Sequence, residues 1–209
     1  MICYCCGTSN LPGVVKHSIA YSKCSTCGSI YTTQDIAAVM QNDNDNPYER
    51  NSLPLNEKRI KIAEKWLGRP IKKALDYGCG YGFLMSLLEA HGAEAAGINF
   101  DTRHMIDYLP FDWFDAVFMV ETIEHLDKPK EILARLFQSM KPDAVLFIET
   151  TFADLVQNIV TNEYVDPRVG HINVISKAGL NRVVPEGTHI STINPNVVVL
   201  WRHSVSKSN

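Results

Sequence analysis

The 209-residue sequence lacks several features that would place it in a common class of protein. No apolar run is long enough to span a bilayer. The first residues, "MICYCCGTSN", have neither the basic nor the apolar region of a secretory signal. The formal net charge is −3, so there is no excess of basic side chains to neutralise a phosphate backbone. We therefore expect a cytoplasmic protein that binds no membrane and is a poor candidate for nucleic-acid binding.

Cysteine is scarce except at the start of the chain, where five of the six cysteines fall within 27 residues. In a reducing compartment, such crowding indicates a metal site rather than disulfides. Two C-x-x-C-G knuckles each direct two thiolates at one point, and four thiolates suit Zn²⁺. The predicted zinc ligands are Cys3, Cys6, Cys24 and Cys27, with Cys5 as a spare thiol. The alternative is a reduced or disulfide-linked cluster that holds no metal.

A polar stretch, "QNDNDNPYERN", divides the sequence into two parts. We predict a zinc-ribbon module at residues 1–40, a linker at 41–56 and a larger domain at 57–209. The module is too short to build a stable core unaided, so we expect metal binding to supply its folding energy.

The larger part alternates strand patterns with helix patterns. The predicted elements are, in order, the strand "KKALDY", the helix "FLMSLLEAHG", the strand "AEAAGIN", the strand "FDAVFMV", the helix "PKEILARLFQSM" and the strand "AVLFIET". The segments "THISTI" and "VVVLWRH", separated by "NPN", predict a closing hairpin. This order predicts an α/β fold, a mainly parallel sheet with helices on both faces. Ligands bind such sheets at the carboxyl ends of the strands.

The stretch "LDYGCGYGF" places Gly78, Gly80 and Gly82 directly after the first of these strands. Glycine tolerates positive φ and lets the backbone approach a ligand without an intervening Cβ. The spacing is not the G-x-G-x-x-G of dinucleotide sites, and no Lys followed by Ser or Thr completes a P-loop. The loop therefore indicates a ligand without a pyrophosphate group. A tight turn that serves only helix packing is the alternative.

These segments together resemble one family. "ALDYGCGYG" resembles the first motif of class I S-adenosylmethionine-dependent methyltransferases, and three later stretches are similar to their later motifs in the same order. Those stretches are "AEAAGIN", "YLPFDWFDAVFMVETIEHLDKP" and "LARLFQSMKPDAVLFIET". The resemblance implies a Rossmann-like fold that binds S-adenosyl-L-methionine. It assigns the cofactor to Asp76, Tyr77, Gly78, Cys79, Gly80, Gly82, Asn99, Phe100, Asp107, Val120 and Glu121.

The sequence departs from the family at two points. Asn99 stands where the family has an acidic residue that grips the ribose, so the charge-assisted hydrogen bonds of a carboxylate are lost. Only 15 residues separate Asn99 from Asp115, where the family fits a helix, a third strand and a loop. We therefore expect the second helix of the Rossmann-like domain to be reduced or missing. The sheet edge left bare needs a cover, which we expect from the N-terminal module or from a second copy in a homo-oligomer.

Methyl transfer is an in-line displacement, so the protein mainly positions the acceptor. An oxygen or carbon acceptor also needs a base. "ETIEHL" offers Glu124 and His125 just past a strand end, and the family resemblance places Tyr164 and His171 in a substrate-covering loop. We take His171, His125 and Tyr164 as the candidate catalytic residues. The alternative for His125 is a packing or capping role at a helix start.

Zinc knuckles ahead of such a domain resemble a bacterial group of enzymes from surface-polysaccharide and nucleotide-sugar pathways. This resemblance implies a small-molecule acceptor, such as a sugar or a nucleotide-sugar. One alternative is a ribosomal or transfer RNA methyltransferase with a zinc module, which predicts a basic stripe. Another is a degenerate methyltransferase fold that has lost turnover and serves as a binding scaffold.

Overall fold

The computed structural model describes residues 1–40, 53–99 and 102–202. Most of the predicted linker therefore lies outside the described residues. The chain forms two compact units, each built from three stretches. The cysteine unit comprises Met1–Asn44, Glu121–Leu133 and Thr150–Val184. The sheet unit comprises Asp45–Val120, Ala134–Glu149 and Pro185–Asn209.

The described residues contain ten strands, four α-helices and four short 3₁₀ helices. The strands are β1 (Val14–Lys16), β2 (Ile19–Lys23), β3 (Ile30–Tyr31), β4 (Lys73–Tyr77), β5 (Glu94–Ile98), β6 (Phe114–Val120), β7 (Met140–Glu149), β8 (Asn173–Val174), β9 (His189–Asn194) and β10 (Val197–Trp201). The α-helices are α1 (Leu53–Leu67), α2 (Phe83–Ala90), α3 (Pro129–Ser139) and α4 (Lys177–Val183). The 3₁₀ helices are Arg103–Tyr108, Ile123–His125, Ala153–Leu155 and Pro167–Val169.

The sheet unit contains a six-stranded sheet in the order β5-β4-β6-β7-β10-β9. Its first four strands run parallel, and β10 pairs antiparallel with both β7 and β9. The predicted parallel sheet and closing hairpin are thereby confirmed. The register sets Asp76 opposite Phe118, and Phe118 opposite Phe147. The carboxyl ends of β4, β6 and β7 therefore meet at one edge of the sheet.

Both faces of this sheet are buried, as parallel strands require. On one face, Ile60 and Ala63 of α1 join the core that contains Phe118 and Phe147, whose ring centroids lie 5.7 Å apart. On the other face, alternate residues such as Val117 are fully buried. The continuous apolar sequence of β6 follows from burial on both sides.

The expected loss of the second helix is confirmed. Among the described residues between β5 and β6, the only helical element is the 3₁₀ helix Arg103–Tyr108. Strand β5 is consequently an edge strand, and Ala96 and Gly97 on it are exposed. The cover expected for this edge stays a prediction.

The cysteine unit contains a four-stranded sheet in the order β1-β2-β3-β8, with antiparallel pairing throughout. The first three strands come from the cysteine-bearing segment, whereas β8 comes from much later in the chain. Tyr21, Ile30 and Val174 lie in one core with Val165. No helix in the described part of the chain is both long and apolar enough to cross a membrane.

Candidate functional site

The glycine loop adopts a backbone that side chains disfavour. Gly78, Gly80 and Gly82 have φ values of 97°, 50° and 76°, all in the left-handed region. The loop is held from inside the sheet unit, because the Gly78 N–H donates to the Ile98 carbonyl at 2.7 Å. A Cβ added at Gly80 or Gly82 would meet no atom within 4 Å, so the space beside the loop is open.

Asp76 lies near the end of β4, two residues before Gly78, and is 4% exposed. No residue that the structure describes donates a hydrogen bond to its carboxylate. Burial raises the pKa of Asp76 to about 7, although the Arg59 guanidinium opposes the rise. A buried carboxylate without a partner is costly unless a ligand satisfies it. Asp76 is therefore suited to a cationic or hydrogen-bonding group of a ligand at the loop.

Arg59 lies near the site but was not among the residues predicted from the sequence. It is 3% exposed on α1, and its Nε and Nη2 donate to the two carboxylate oxygens of Glu149 at 2.9 and 2.7 Å. Its Nη1 donates to the Asn56 side chain at 2.7 Å. The sheet register places Glu149 on the same face as Asp76. The signal was present in the sequence, because Arg59 lies four residues before the buried Ala63 on the same side of the helix.

Three further cofactor positions lie beside the loop or at the next strand end. Tyr77 is buried at the end of β4, and Cys79 is half-buried with its Sγ against Gly97. A Cβ at Gly97 would lie 2.8 Å from that Sγ, so the small residue on β5 makes room for Cys79. Val120 is half-buried where β6 ends.

Two further predicted cofactor residues, Asn99 and Asp107, lie just after β5 and in the following 3₁₀ helix. Asn99 is half-buried, and its N–H donates to the Thr102 hydroxyl at 2.9 Å. Asp107 is exposed on the 3₁₀ helix. Phe100 lies outside the described residues. Asn99 can offer a ligand its side-chain amide, in place of the carboxylate that the family has at this position.

Glu121 follows β6 directly and belongs to the cysteine unit. It is half-buried and has a φ of 48°, which is uncommon for a residue with a side chain. Such backbone strain concentrates at functional sites.

The cysteine unit contains a group of polar side chains that we call the acid–base cluster, made of Glu124, His125, Thr150, Tyr164 and His171. Glu124 is fully buried at its centre. The Tyr164 hydroxyl donates to Oε1 of Glu124 at 2.6 Å, and the Thr150 hydroxyl donates to Oε2 at 3.0 Å. Burial, together with the charges of Glu124 and Glu121, raises the pKa of Tyr164 well above its ordinary value. Tyr164 is therefore a hydrogen-bond donor. Thr150 was not among the site residues predicted from the sequence.

The two histidines of the cluster are held in the same tautomer. Nδ1 of His171 lies 2.5 Å from the Tyr164 carbonyl, and Nδ1 of His125 lies 3.1 Å from the Gly170 carbonyl. A carbonyl only accepts, so each Nδ1 carries a proton and each neutral ring presents a lone pair on Nε2. Gly170 is required here, because a Cβ would lie 2.9 Å from the ring of His125.

The side chains of the two histidines differ in solvent exposure. His171 is 2% exposed, and its Nε2 lies 3.8 Å from Oε1 of Glu124. His125 is half-exposed, with its ring edge-on to that of His171 at a centroid distance of 4.8 Å. Polar atoms of Glu124, His125 and His171 all lie within 4.8 Å of one another. The structure thus brings the three predicted catalytic residues into one cluster, in which His125 has a more exposed side chain than His171.

The four knuckle cysteines also converge. Sγ of Cys3 lies 3.6 Å from that of Cys27, and Sγ of Cys6 lies 3.4 Å from that of Cys24. These separations far exceed the about 2.05 Å of a disulfide. They approach the roughly 3.8 Å expected between thiolates around a tetrahedral zinc ion. The arrangement fits zinc. Cys5 is outside this group of four, although its side chain interacts with that of Cys3, and its Sγ lies 3.7 Å from the Asn173 side chain.

Comparison with known proteins assigns the family. The model of a family described as "Methyltransferase domain" matches residues 48–186. The chain belongs to the class I S-adenosylmethionine-dependent methyltransferases. Among curated relatives, the ubiquinone biosynthesis O-methyltransferase of Pseudomonas fluorescens is 24% identical over 176 residues, covering 72% of this chain and 70% of the relative. That of Yersinia enterocolitica is 26% identical, covering 62% of this chain and 59% of the relative.

Solved structures share the fold of this methyltransferase. A SAM-dependent methyltransferase from Aquifex aeolicus has a TM-score of 0.53 at 18% identity, covering 80% of this chain and 97% of its own. The plantazolicin methyltransferase BpumL, in complex with a triazolic desmethylPZN analog and SAH, has a TM-score of 0.54 at 12% identity. That match covers 77% of this chain and 87% of BpumL.

The raised pKa of Asp76 gives the cofactor-free enzyme a specific pH dependence. The unfolded chain loses this proton near pH 3.9, whereas the folded chain keeps it to about pH 7. The free energy of unfolding should therefore fall as the pH rises from 4 to 7, by on the order of a few kcal/mol. In Asp76→Asn this fall should largely vanish in urea-unfolding measurements. Asp107→Asn, which removes an exposed carboxylate, should retain the wild-type slope; equal slopes in all three proteins would contradict the assignment.

Proposed function

We propose that this methyltransferase transfers a methyl group from S-adenosyl-L-methionine to a hydroxyl oxygen of a small molecule, with a sugar or nucleotide-sugar as the favoured class. The main support is the acid–base cluster, because a hydroxyl acceptor must lose a proton during transfer. Relatives named as ubiquinone biosynthesis O-methyltransferases also favour an oxygen acceptor. The net charge of −3 disfavours an RNA acceptor.

On this proposal, the cofactor is held by the sheet unit. The Asp76 carboxylate would receive the amino group of its methionine end, and the backbone from Tyr77 to Gly82 would lie against it. Asn99 would hydrogen-bond the ribose. When bound, the cofactor supplies an activated methyl group on a sulfonium, so the protein needs to add only positioning, proton removal and exclusion of water.

His125 is the proposed general base. Its Nε2 lone pair would take the proton that the acceptor hydroxyl must lose when it is methylated. The imidazolium formed would be stabilised by the buried Glu124 carboxylate and by the adjacent His171. Tyr164 and Thr150 would hold Glu124 in place through the hydrogen bonds that their hydroxyl groups donate to it.

The proposed role of His125 is tested with His125→Gln. Methyl transfer should fall about 100-fold or more, the usual contribution of a general base, while the dissociation constant for S-adenosylhomocysteine stays unchanged. Formation of S-adenosylhomocysteine would be followed by mass spectrometry with panels of monosaccharides, nucleotide-sugars, phenols and RNA. His91→Gln, which changes an exposed histidine at the end of α2, is the matched control.

Wild-type turnover by His125→Gln would remove His125 as the base. Turnover confined to RNA, or to phenols, would overturn the sugar class while leaving methyl transfer intact. Failure to bind S-adenosylhomocysteine at all would contradict the proposed cofactor site.

We further propose that the four knuckle cysteines bind one structural zinc ion. The support is their mutual spacing and their positions in two short turns, one between the bridged residues Ile2 and Ser9 and the other between β2 and β3. Zinc would then supply folding energy to the cysteine unit and take no part in methyl transfer.

The zinc proposal is tested by counting metal in purified protein with inductively coupled plasma mass spectrometry. Wild type should contain about one zinc per chain, and Cys24→Ser should lose the metal and melt at a lower temperature. Cys5→Ser is the matched control, because it changes a buried thiol of the same segment that lies outside the four. Equal zinc content in Cys24→Ser and wild type, or equal loss in Cys5→Ser, would refute the ligand assignment.

A further inference from the structure

The two edges of the six-stranded sheet differ in how they are protected. An edge strand leaves a row of backbone N–H and C=O groups open to pairing with another chain. At one edge, the pairing of β9 with β10 is interrupted by a register shift between Val197 and Val198, an irregularity that hinders further pairing. At the other edge, β5 pairs with β4 in one continuous register from Glu94 to Ile98, and it contains neither Lys nor Pro. Strand β5 is therefore the less protected edge.

The hydrogen bonds of β5 show which of its backbone groups face outward. The Glu94 N–H donates to the Lys72 carbonyl at 2.8 Å, and the Ile98 carbonyl accepts from the Gly78 N–H at 2.7 Å. Successive residues of a strand direct these groups to opposite sides, so Ala95 and Gly97 direct theirs away from β4. Among the residues that the structure describes, none outside β4 forms a backbone hydrogen bond with Ala95 or Gly97. The outward groups are thus available to a further strand.

The connection that follows β5 exposes large apolar side chains. Four of them are 45%, 76%, 67% and 39% exposed, namely Met105, Tyr108, Phe111 and Trp113. Lys73 places Trp113 beside the amino end of β5, because its Nζ lies 3.6 Å from Oε2 of Glu94 and 2.8 Å from the centroid of the Trp113 ring. Exposed apolar groups of this kind mark protein–protein contacts.

The charges at the two ends of β5 suit a second copy of the same chain. Glu94 begins the strand, and its side chain is 68% exposed. Arg103 and His104, both exposed, lie in the 3₁₀ helix just past the other end. A two-fold axis through the middle of the edge makes the two β5 strands antiparallel, so that the amino end of each meets the carboxyl end of the other. Glu94 of each copy then approaches the basic residues of its partner.

We propose that β5 pairs antiparallel with β5 of a second copy, so that the two six-stranded sheets become one continuous sheet. Ala95 of each copy would exchange two backbone hydrogen bonds with Gly97 of the other, and the two Ala96 residues would lie opposite each other at the axis. The apolar side chains of the connection would be covered beside this seam. The inference is independent of the proposed function, because it uses no residue to which that function gives a role.

The test is sedimentation velocity of the full chain over an about 100-fold range of protein concentration. Wild type should form a dimer as the concentration rises. Ala95→Pro removes only an outward N–H, which an edge strand tolerates, and should stay monomeric with an unchanged circular dichroism spectrum. Ala95→Ser, which keeps the N–H, is the matched control and should dimerise like wild type. Wild type that stays monomeric throughout, as expected if a different protein covers the edge, would overturn the proposal, and so would a dimer of Ala95→Pro.

A charge exchange tests the antiparallel arrangement. Glu94→Arg and Arg103→Glu each place like charges at both ends of the seam, so each should raise the dimer dissociation constant by about 10-fold or more. The double variant restores opposite charges and should recover most of the wild-type affinity. A double variant as weak as the singles would contradict the antiparallel pairing.

A measurement on wild type covers the case in which Ala95→Pro does not fold. Hydrogen exchange would be compared at concentrations below and above the dimer dissociation constant. The amides of Ala95 and Gly97 should exchange about 10-fold more slowly in the dimer, whereas the amide of Val117 within the sheet should be unchanged. Equal exchange of Ala95 and Gly97 in monomer and dimer would show that the dimer uses another surface and would overturn the proposal.

Discussion

Parallel pairing of β4, β6 and β7 is the constraint on which the rest of the structure depends. It brings three strand ends to one edge of the sheet, which is where parallel sheets bind ligands. Asp76 is the last residue but one of β4 and Glu149 is the last of β7, and the register turns both side chains to the face covered by α1. Arg59 of that helix binds Glu149 and opposes the desolvation of Asp76. The Arg59 charge therefore offsets part of the cost of burying the Asp76 carboxylate beside the glycine loop.

The same topology explains why the cysteine unit is discontinuous. The stretches that follow β6 and β7, Glu121–Leu133 and Thr150–Val184, leave the sheet unit and complete the cysteine unit. A buried carboxylate such as Glu124 is tolerated only when hydrogen bonds satisfy it. Tyr164 and Thr150 supply those bonds from the second stretch. The stretches that follow β6 and β7 thus carry the acid–base cluster. The cysteine-bearing strands β1, β2 and β3 form one sheet with β8 of the second stretch.

Local sequence patterns predicted much of the fold and part of the candidate site. The glycine loop, the buried strands, the closing hairpin and the shortened connection after β5 each leave a short-range signature in the sequence. The convergence of Cys3, Cys6, Cys24 and Cys27 followed from knuckle spacing in the same way. Long-range pairing leaves no such signature. The addition of β8 to the cysteine-bearing sheet, and the bond from Thr150 to Glu124, depend on residues far apart in sequence, so neither could be predicted.

The central claim is that the open space beside Gly78–Gly82 holds the methionine end of the cofactor against Asp76. A crystal structure of the enzyme soaked with S-adenosylhomocysteine tests this most directly. The account predicts density along the loop, with the ligand's amino nitrogen about 3 Å from the Asp76 carboxylate. A crevice left empty at saturating ligand, or filled by the protein's own side chains, would contradict it.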